Sequence, residues 1–228
     1  GGGGGEGASE GASEGGSFPG RPLSSELAAN YAPKVVDRYQ KHQELYQSFE
    51  AQVPELKQMF EAVQSFLEDY AKAERFAVAA YIHGDPVFSN VILEKSGGVK
   101  LIDMRGALGG RLTTSGDRNY DLSKLFQSLC GYDFMLLDTW HSMSPIRHSM
   151  LKNLKAIFWE CVREHYCEPA QEAAASSEST SAFELLRRDV SLITAAHYFT
   201  IVPLHETRER QVLYLEMSRS LLKEWGLL

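Results

Sequence analysis

Residues 81–106, YIHGDPVFSNVILEKSGGVKLIDMRG, decide how this chain is read. Two apolar runs, NVILE and VKLID, flank KSGG, a turn signal of the kind that closes a β-hairpin. If Glu94 pairs with Val99 across that turn, Asn90 pairs with Asp103. Antiparallel pairing then sets those two side chains a few Å apart at the open end of the ribbon. Asp85 lies five residues before Asn90, close enough through the loop to face the same point. Gly84 lets the backbone turn sharply just before it.

Those residue types suit one kind of chemistry. The amide oxygen of Asn90 and the carboxylate of Asp103 match a hard cation such as Mg²⁺, bound partly through substrate phosphates. An Asp beside that cation, here Asp85, can orient a hydroxyl and take its proton during phosphoryl transfer. His83 is read as holding the loop in shape. Taken singly, each of these residues is a turn or cap residue; in this order and together they form a candidate site.

The flanks are helical. Ser24 or Ser25 is the expected cap of a first helix. Val36, Tyr39, Tyr46 and Phe49 recur at helical spacing over residues 33–49. A further helix is expected from Pro54 to Ala73, with Leu56, Met59, Phe60, Val63, Phe66, Leu67 and Tyr70 as its apolar stripe. FAVAAYI (76–82) reads as a short buried strand. After the hairpin, GALGGRLTTSG is a Gly-rich loop, and DRNYDLSKLFQSL restarts a helix with Asp121 near its cap. Helices follow over 145–166, 183–202 and 206–225. The fold class is therefore α+β, mostly helical around a small hairpin.

The chain has 228 residues, 43% hydrophobic and 23% charged, enough for one or two domains with a core. GGGGGEGASEGASEGG reads as a disordered tail over residues 1–17, followed by one lobe over 18–228 with a polar surface loop at about 168–182. A formal net charge of −7 without a Lys/Arg cluster argues against a nucleic-acid partner. Three cysteines without paired or metal-type spacing suit a reducing, cytoplasmic setting. No apolar run reaches membrane-spanning length, so no membrane partner is expected. Oligomeric state stays open.

HGDPVFSN, then LID thirteen residues after Asn90, then GDRNYDLSKL resembles the aminoglycoside phosphotransferase and choline kinase-like family, over about residues 75–135. The resemblance implies a protein-kinase-like C-terminal lobe and ATP- and Mg²⁺-dependent transfer of a phosphoryl group to a small-molecule hydroxyl, on a sugar, amino alcohol or related metabolite. It assigns Asp85 as catalytic base, Asn90 and Asp103 as Mg²⁺ ligands, and His83 and Asp121 as structural supports of the loop. The DMRG form resembles phosphotransferase-like proteins associated with sugar and capsule genes. Arg105 is expected either to contact a phosphate or to pair with Asp117.

Such an enzyme also needs an N-terminal lobe, with a phosphate-covering loop and a strand-borne Lys. Before Asp85 the sequence offers a glycine tail and amphipathic helices, so that lobe either lies upstream of Gly1 or has been lost. The alternative reading is a non-catalytic pseudokinase or binding module. A metal-dependent hydrolase ranks last, for want of a second set of metal ligands.

Overall fold

The computed structural model describes residues 22–167 and 181–228; the tail expected over 1–17 and nearly all of the polar loop expected near 168–182 lie outside them. The described chain is α+β and mostly helical. In order run α1 (Ser24–Ala28), α2 (Ala32–Lys41), α3 (Gln43–Gln47), α4 (Leu56–Lys72), β1 (Val78–Ala79), β2 (Val91–Leu93), β3 (Val99–Leu101), β4 (Ala107–Leu108), β5 (Arg111–Leu112) and β6 (Gly116–Asp117). Then come α5 (Arg118–Leu129), α6 (Tyr132–Leu136), α7 (Pro145–Tyr166), α8 (Ala182–Ile201) and α9 (Arg208–Glu224). The strands form three antiparallel pairs, β1 with β6, β2 with β3 and β4 with β5.

Helix α8 is the centre of the core. Every residue from Asp189 to Ile201 is buried, as befits a helix surrounded on all sides by others; α4, α5 and α9 pack around it. Several of its polar groups are paired with the helices around it. Thr194 donates to the Ser123 carbonyl (2.9 Å), Tyr198 donates to that of Gln127 (2.8 Å), and Ser218 donates to that of Ala195 (2.9 Å). Buried hydroxyls so paired cost little.

Helix α4 buries the stripe its periodicity predicts, Leu56, Met59, Val63, Phe66, Leu67 and Tyr70, with Phe60 half-buried. It starts at Leu56, leaving Pro54 outside. Glu55 takes a left-handed φ of 72° there, and its carboxylate is clasped by Arg219 (2.8 Å) and Lys223 (3.1 Å) of α9. The helix expected over 33–49 is broken at His42 into α2 and α3. The break accompanies burial of Tyr46, whose hydroxyl donates to the Phe199 carbonyl at 2.7 Å. At α1 neither serine is the cap: Leu23 precedes the helix, and its N–H is taken by the Glu26 carboxylate at 2.8 Å. FAVAAYI is not a buried strand. Only Val78–Ala79 pairs, against Gly116–Asp117, and it is half-buried. The expected Gly-rich loop holds the small β4–β5 ribbon, turning at Gly109 with φ 59°.

One carboxylate joins these pieces. Asp117, 2% exposed, accepts from the hydroxyls of Tyr31 (2.6 Å) and Tyr70 (2.7 Å) on one oxygen. Its other oxygen accepts from the N–H groups of Ala77 (2.9 Å) and Asn119 (3.0 Å). Burial, reinforced by the Asp117 charge, pushes both phenols well above their ordinary range. The carboxylate thus ties the α1–α2 junction, α4, the entry to β1 and the start of α5. Asp117→Ala strands four donors, three of them buried, and should lower the unfolding free energy in urea by about 3–5 kcal/mol, whereas Tyr70→Phe should cost only about 1 kcal/mol. Equal small losses from both variants would show that the hub carries no such weight.

Candidate active site

The loop over residues 83–90 is held from below by α5. Asp117, not Asp121, caps that helix. Asp121, Lys124 and Ser128 follow at i, i+3 and i+7, one face of the helix. Asp121 accepts from the N–H of His83 (2.6 Å) and of Gly84 (2.7 Å), one on each oxygen. Ser128 accepts from the N–H of Phe88 (2.9 Å), and Asp133 of α6 from that of Ser89 (3.0 Å). Backbone donors without a ladder must find partners elsewhere; here side chains of the helical core supply them. Burial raises the Asp121 carboxyl above its ordinary range, only partly offset by the two N–H bonds and the nearby cations.

Within the loop, Gly84 has φ +83°, and a Cβ there would lie 2.8 Å from the Arg105 Cβ. A side chain is excluded on both counts. Asp85 is half-buried, its carboxylate 3.1 Å from the Lys124 ammonium, within ion-pair distance but not in hydrogen-bond alignment. Asn90 donates its side-chain N–H to the Asp85 carbonyl (2.9 Å), which leaves the amide oxygen as its ligand atom. His83 is 7% exposed. Its Nδ1 accepts from the Asp85 N–H (3.3 Å) and its Nε2 has no partner among the described residues, an arrangement that shapes the loop.

The hairpin register differs from expectation by one residue. Val91 opposes Leu101 and Leu93 opposes Val99, so Glu94 faces Gly98, and Asn90 faces Ile102 rather than Asp103. The turn explains the slip. Gly98 accepts from the Glu94 N–H (2.8 Å) and so joins the ladder, leaving a three-residue loop closed at Gly97, φ +88°. A slip of one residue exchanges faces, so cross-strand pairing is not what brings Asp103 to the loop. Two backbone bonds bracket it instead: Ile102 N–H to the Asn90 carbonyl (3.0 Å) and Arg105 N–H to the His83 carbonyl (2.9 Å). Between those ties Asp103 is exposed and takes a left-handed φ of 60°, a conformation Asp tolerates better than most residues. The segment carrying Asp103 is therefore laid against the loop carrying Asp85 and Asn90.

Arg105 does not pair with Asp117. Its guanidinium lies 4.7 Å from the Tyr120 ring centre and donates to the Tyr120 hydroxyl at 2.7 Å. Lys34, on α2, lies 6.0 Å from the same ring centre. Burial alone would raise this phenol, but Lys34, Lys124 and Arg105 outweigh it and bring it down to about 8. Neither Lys124 nor Tyr120 was marked by sequence reasoning, although Lys124 falls one helical turn after Asp121 and so shares its face. After α5, Asp133 reaches the loop, while Asp138 pairs with Arg210 at 2.8 Å. Trp140 stacks edge-on to His148, 5.6 Å between ring centres, and His141 is exposed.

Among the described residues no group of three or more His, Cys, Asp or Glu side chains is placed to hold a metal ion unaided. The donors at hand are one amide and one unpaired carboxylate, a set that fits Mg²⁺ only when phosphates and water complete the shell. No helix among the described residues is long and apolar enough to cross a membrane. Compared with known proteins, the chain matches no family model, no curated protein and no solved structure.

Tyr120 offers a direct check of this electrostatic picture. Its folded value near 8 lies below its ordinary value of 10, so its contribution to stability is complete above pH 10 and is lost as pH falls through 8. A phenolate absorbance step with a midpoint near pH 8 is expected, absent in Tyr120→Phe. A first tyrosine step only near 10 or above would contradict it.

Proposed function

We propose that this chain is the C-terminal lobe of a small-molecule kinase-like phosphotransferase, moving the γ-phosphoryl group of ATP to the hydroxyl of a sugar, amino alcohol or related metabolite. The observation that carries the reading is the clasp of the Asp121 carboxylate on the His83 and Gly84 N–H groups, with residues 102–105 tied to the same loop. That arrangement gives Asp85, Asn90 and Asp103 a common locality on rigid supports, which catalysis by positioning requires.

In this reading Asp85 orients the acceptor hydroxyl and takes its proton. The freed oxygen attacks the γ-phosphorus, the bond to the bridging oxygen breaks, and ADP leaves. Lys124 holds the Asp85 carboxylate in place from the core side. Asn90 and Asp103 would hold Mg²⁺, whose charge offsets that of the phosphates when it is bound. Gly84 and Asp121 position the loop. The apolar side chains of Leu93, Val99, Leu101, Ile102 and Met104 are exposed along the hairpin. An apolar surface of that kind is one that another part of a longer protein, or a bound base, covers.

One observation favours the second reading, a non-catalytic binding module. Among the described residues before Asp85 the only strand is Val78–Ala79, and that pair carries no lysine to meet nucleotide phosphates. The two readings separate in a phosphorylation screen of the longest natural product against a metabolite panel. The kinase reading expects transfer that falls about 10²–10⁴-fold in Asp85→Asn, and thermal stabilisation by Mg-ATP that disappears in Asp103→Ala. Transfer unaffected by Asp85→Asn would remove Asp85 from the mechanism; no transfer and no Mg-ATP response would leave the binding module.

A further inference from the structure

Between α4, α8 and Leu227 lies a recess of about 200 Å³. One water needs about 10–15 Å³, so this space admits a small organic molecule. Ala62, Phe66 and Asp69 line it from one face of α4, at i, i+4 and i+7. With Leu227 opposite in sequence, Ala62 and Phe66 make part of the wall apolar. Arg75, just past α4, and Arg188 of α8 bring two guanidinium groups to it, and Asp69 brings one carboxylate. The recess shares no residue with the loop over 83–90.

Both cations are held by the same ring. The guanidinium of Arg75 lies 5.8 Å and that of Arg188 5.6 Å from the Phe66 ring centre. Arg75 donates its Nε–H to Asp189 at 3.0 Å, while its Nη2 has no partner among the described residues. Asp189, 3% exposed, answers the charge of Arg75. Among the described residues Arg188 makes no ion pair or hydrogen bond, only its ring contact, and the exposed Asp69 carboxylate makes neither. Two guanidinium groups and two carboxylates cancel, so the recess selects neither a simple anion nor a simple cation. What it leaves unmet is forked donors and one acceptor beside an apolar wall.

We infer that this recess binds a free α-amino acid with an apolar side chain. The ligand carboxylate accepts from Arg188 and from the unpaired nitrogen of Arg75. Its ammonium donates to Asp69, and its side chain packs on Ala62, Phe66 and Leu227. The planar fork of arginine matches a carboxylate, and a recess with an apolar wall and a few placed polar groups is the usual form of a small-molecule site. A carboxylate alone would face Asp69 without a countercharge, and an amine alone would face the guanidinium groups. This site goes beyond the phosphotransferase reading and does not require it. Its Arg75 stands two residues before Ala77, whose N–H is held by Asp117, so an occupied recess braces the entry to β1.

The test titrates the full chain by calorimetry with L-leucine, L-methionine and L-phenylalanine at matched ionic strength. At least one should bind and raise the melting temperature. Binding should weaken by about tenfold or more in Arg188→Gln and in Asp69→Asn. Neither substitution touches a buried ion pair, so both variants should fold, which their melting curves without ligand check. Isocaproate and isoamylamine are leucine without its amine and without its carboxylate; each should bind about tenfold or more weakly than leucine. No binding heat from any of the three amino acids overturns the site, as does unchanged binding in Arg188→Gln. Unchanged binding in Asp69→Asn, or isocaproate binding as tightly as leucine, removes the ammonium contact and overturns the amino-acid assignment.

Discussion

The architecture depends on one buried charge being fully occupied. An unpaired carboxylate in a protein interior costs several kcal/mol, and Asp117 avoids that cost by accepting four donors. Each donor comes from a different piece: the α1–α2 junction, α4, the entry to β1 and the first turn of α5. The aromatic cluster of Tyr31, Tyr70 and Phe76, with ring centres 5.2–5.8 Å apart, supplies burial; the carboxylate supplies the geometry. Apolar packing tolerates several arrangements, whereas four hydrogen bonds to two oxygens tolerate few.

The loop over residues 83–90 inherits that rigidity. Its N–H groups bind to Asp121, Ser128 and Asp133, all on helices packed against the core. Loops that carry chemistry are most useful when a rigid scaffold aims them. Here the polar side chains beneath the loop are spent on holding it.

Much of this was legible in the residues. The stripe of α4, the bounds of α7 and the last two helices follow from 3.6-residue periodicity, because long amphipathic helices report their buried face in sequence. What failed was short-range and tertiary. FAVAAYI is apolar enough for a strand, yet only two residues pair, because its partner Gly116–Asp117 is itself that short. KSGG was read as a four-residue turn, but Gly98 entered the ladder and moved the register. Asp121 was assigned to a cap that Asp117 fills; two aspartates four residues apart at a helix start cannot be ranked by spacing alone. The grouping of Asp85, Asn90 and Asp103 followed from motif order, while the means of grouping, two backbone bonds outside the strands, left no trace in the pattern. Lys34 could not be placed beside Tyr120 without the packing of α2.

The four-residue stagger between Asp117 and Asp121 carries a mechanical implication. Both grips sit on the same helix about one turn apart, the first seizing the scaffold and the second the loop. The helix therefore behaves as a clamp bar with jaws at neighbouring points, and slack cannot accumulate between them. Any excursion of the His83–Gly84 corner has to drag the bar and unseat the tyrosines at its other jaw. Opening this corner is thus coupled to loosening the molecule's own keystone.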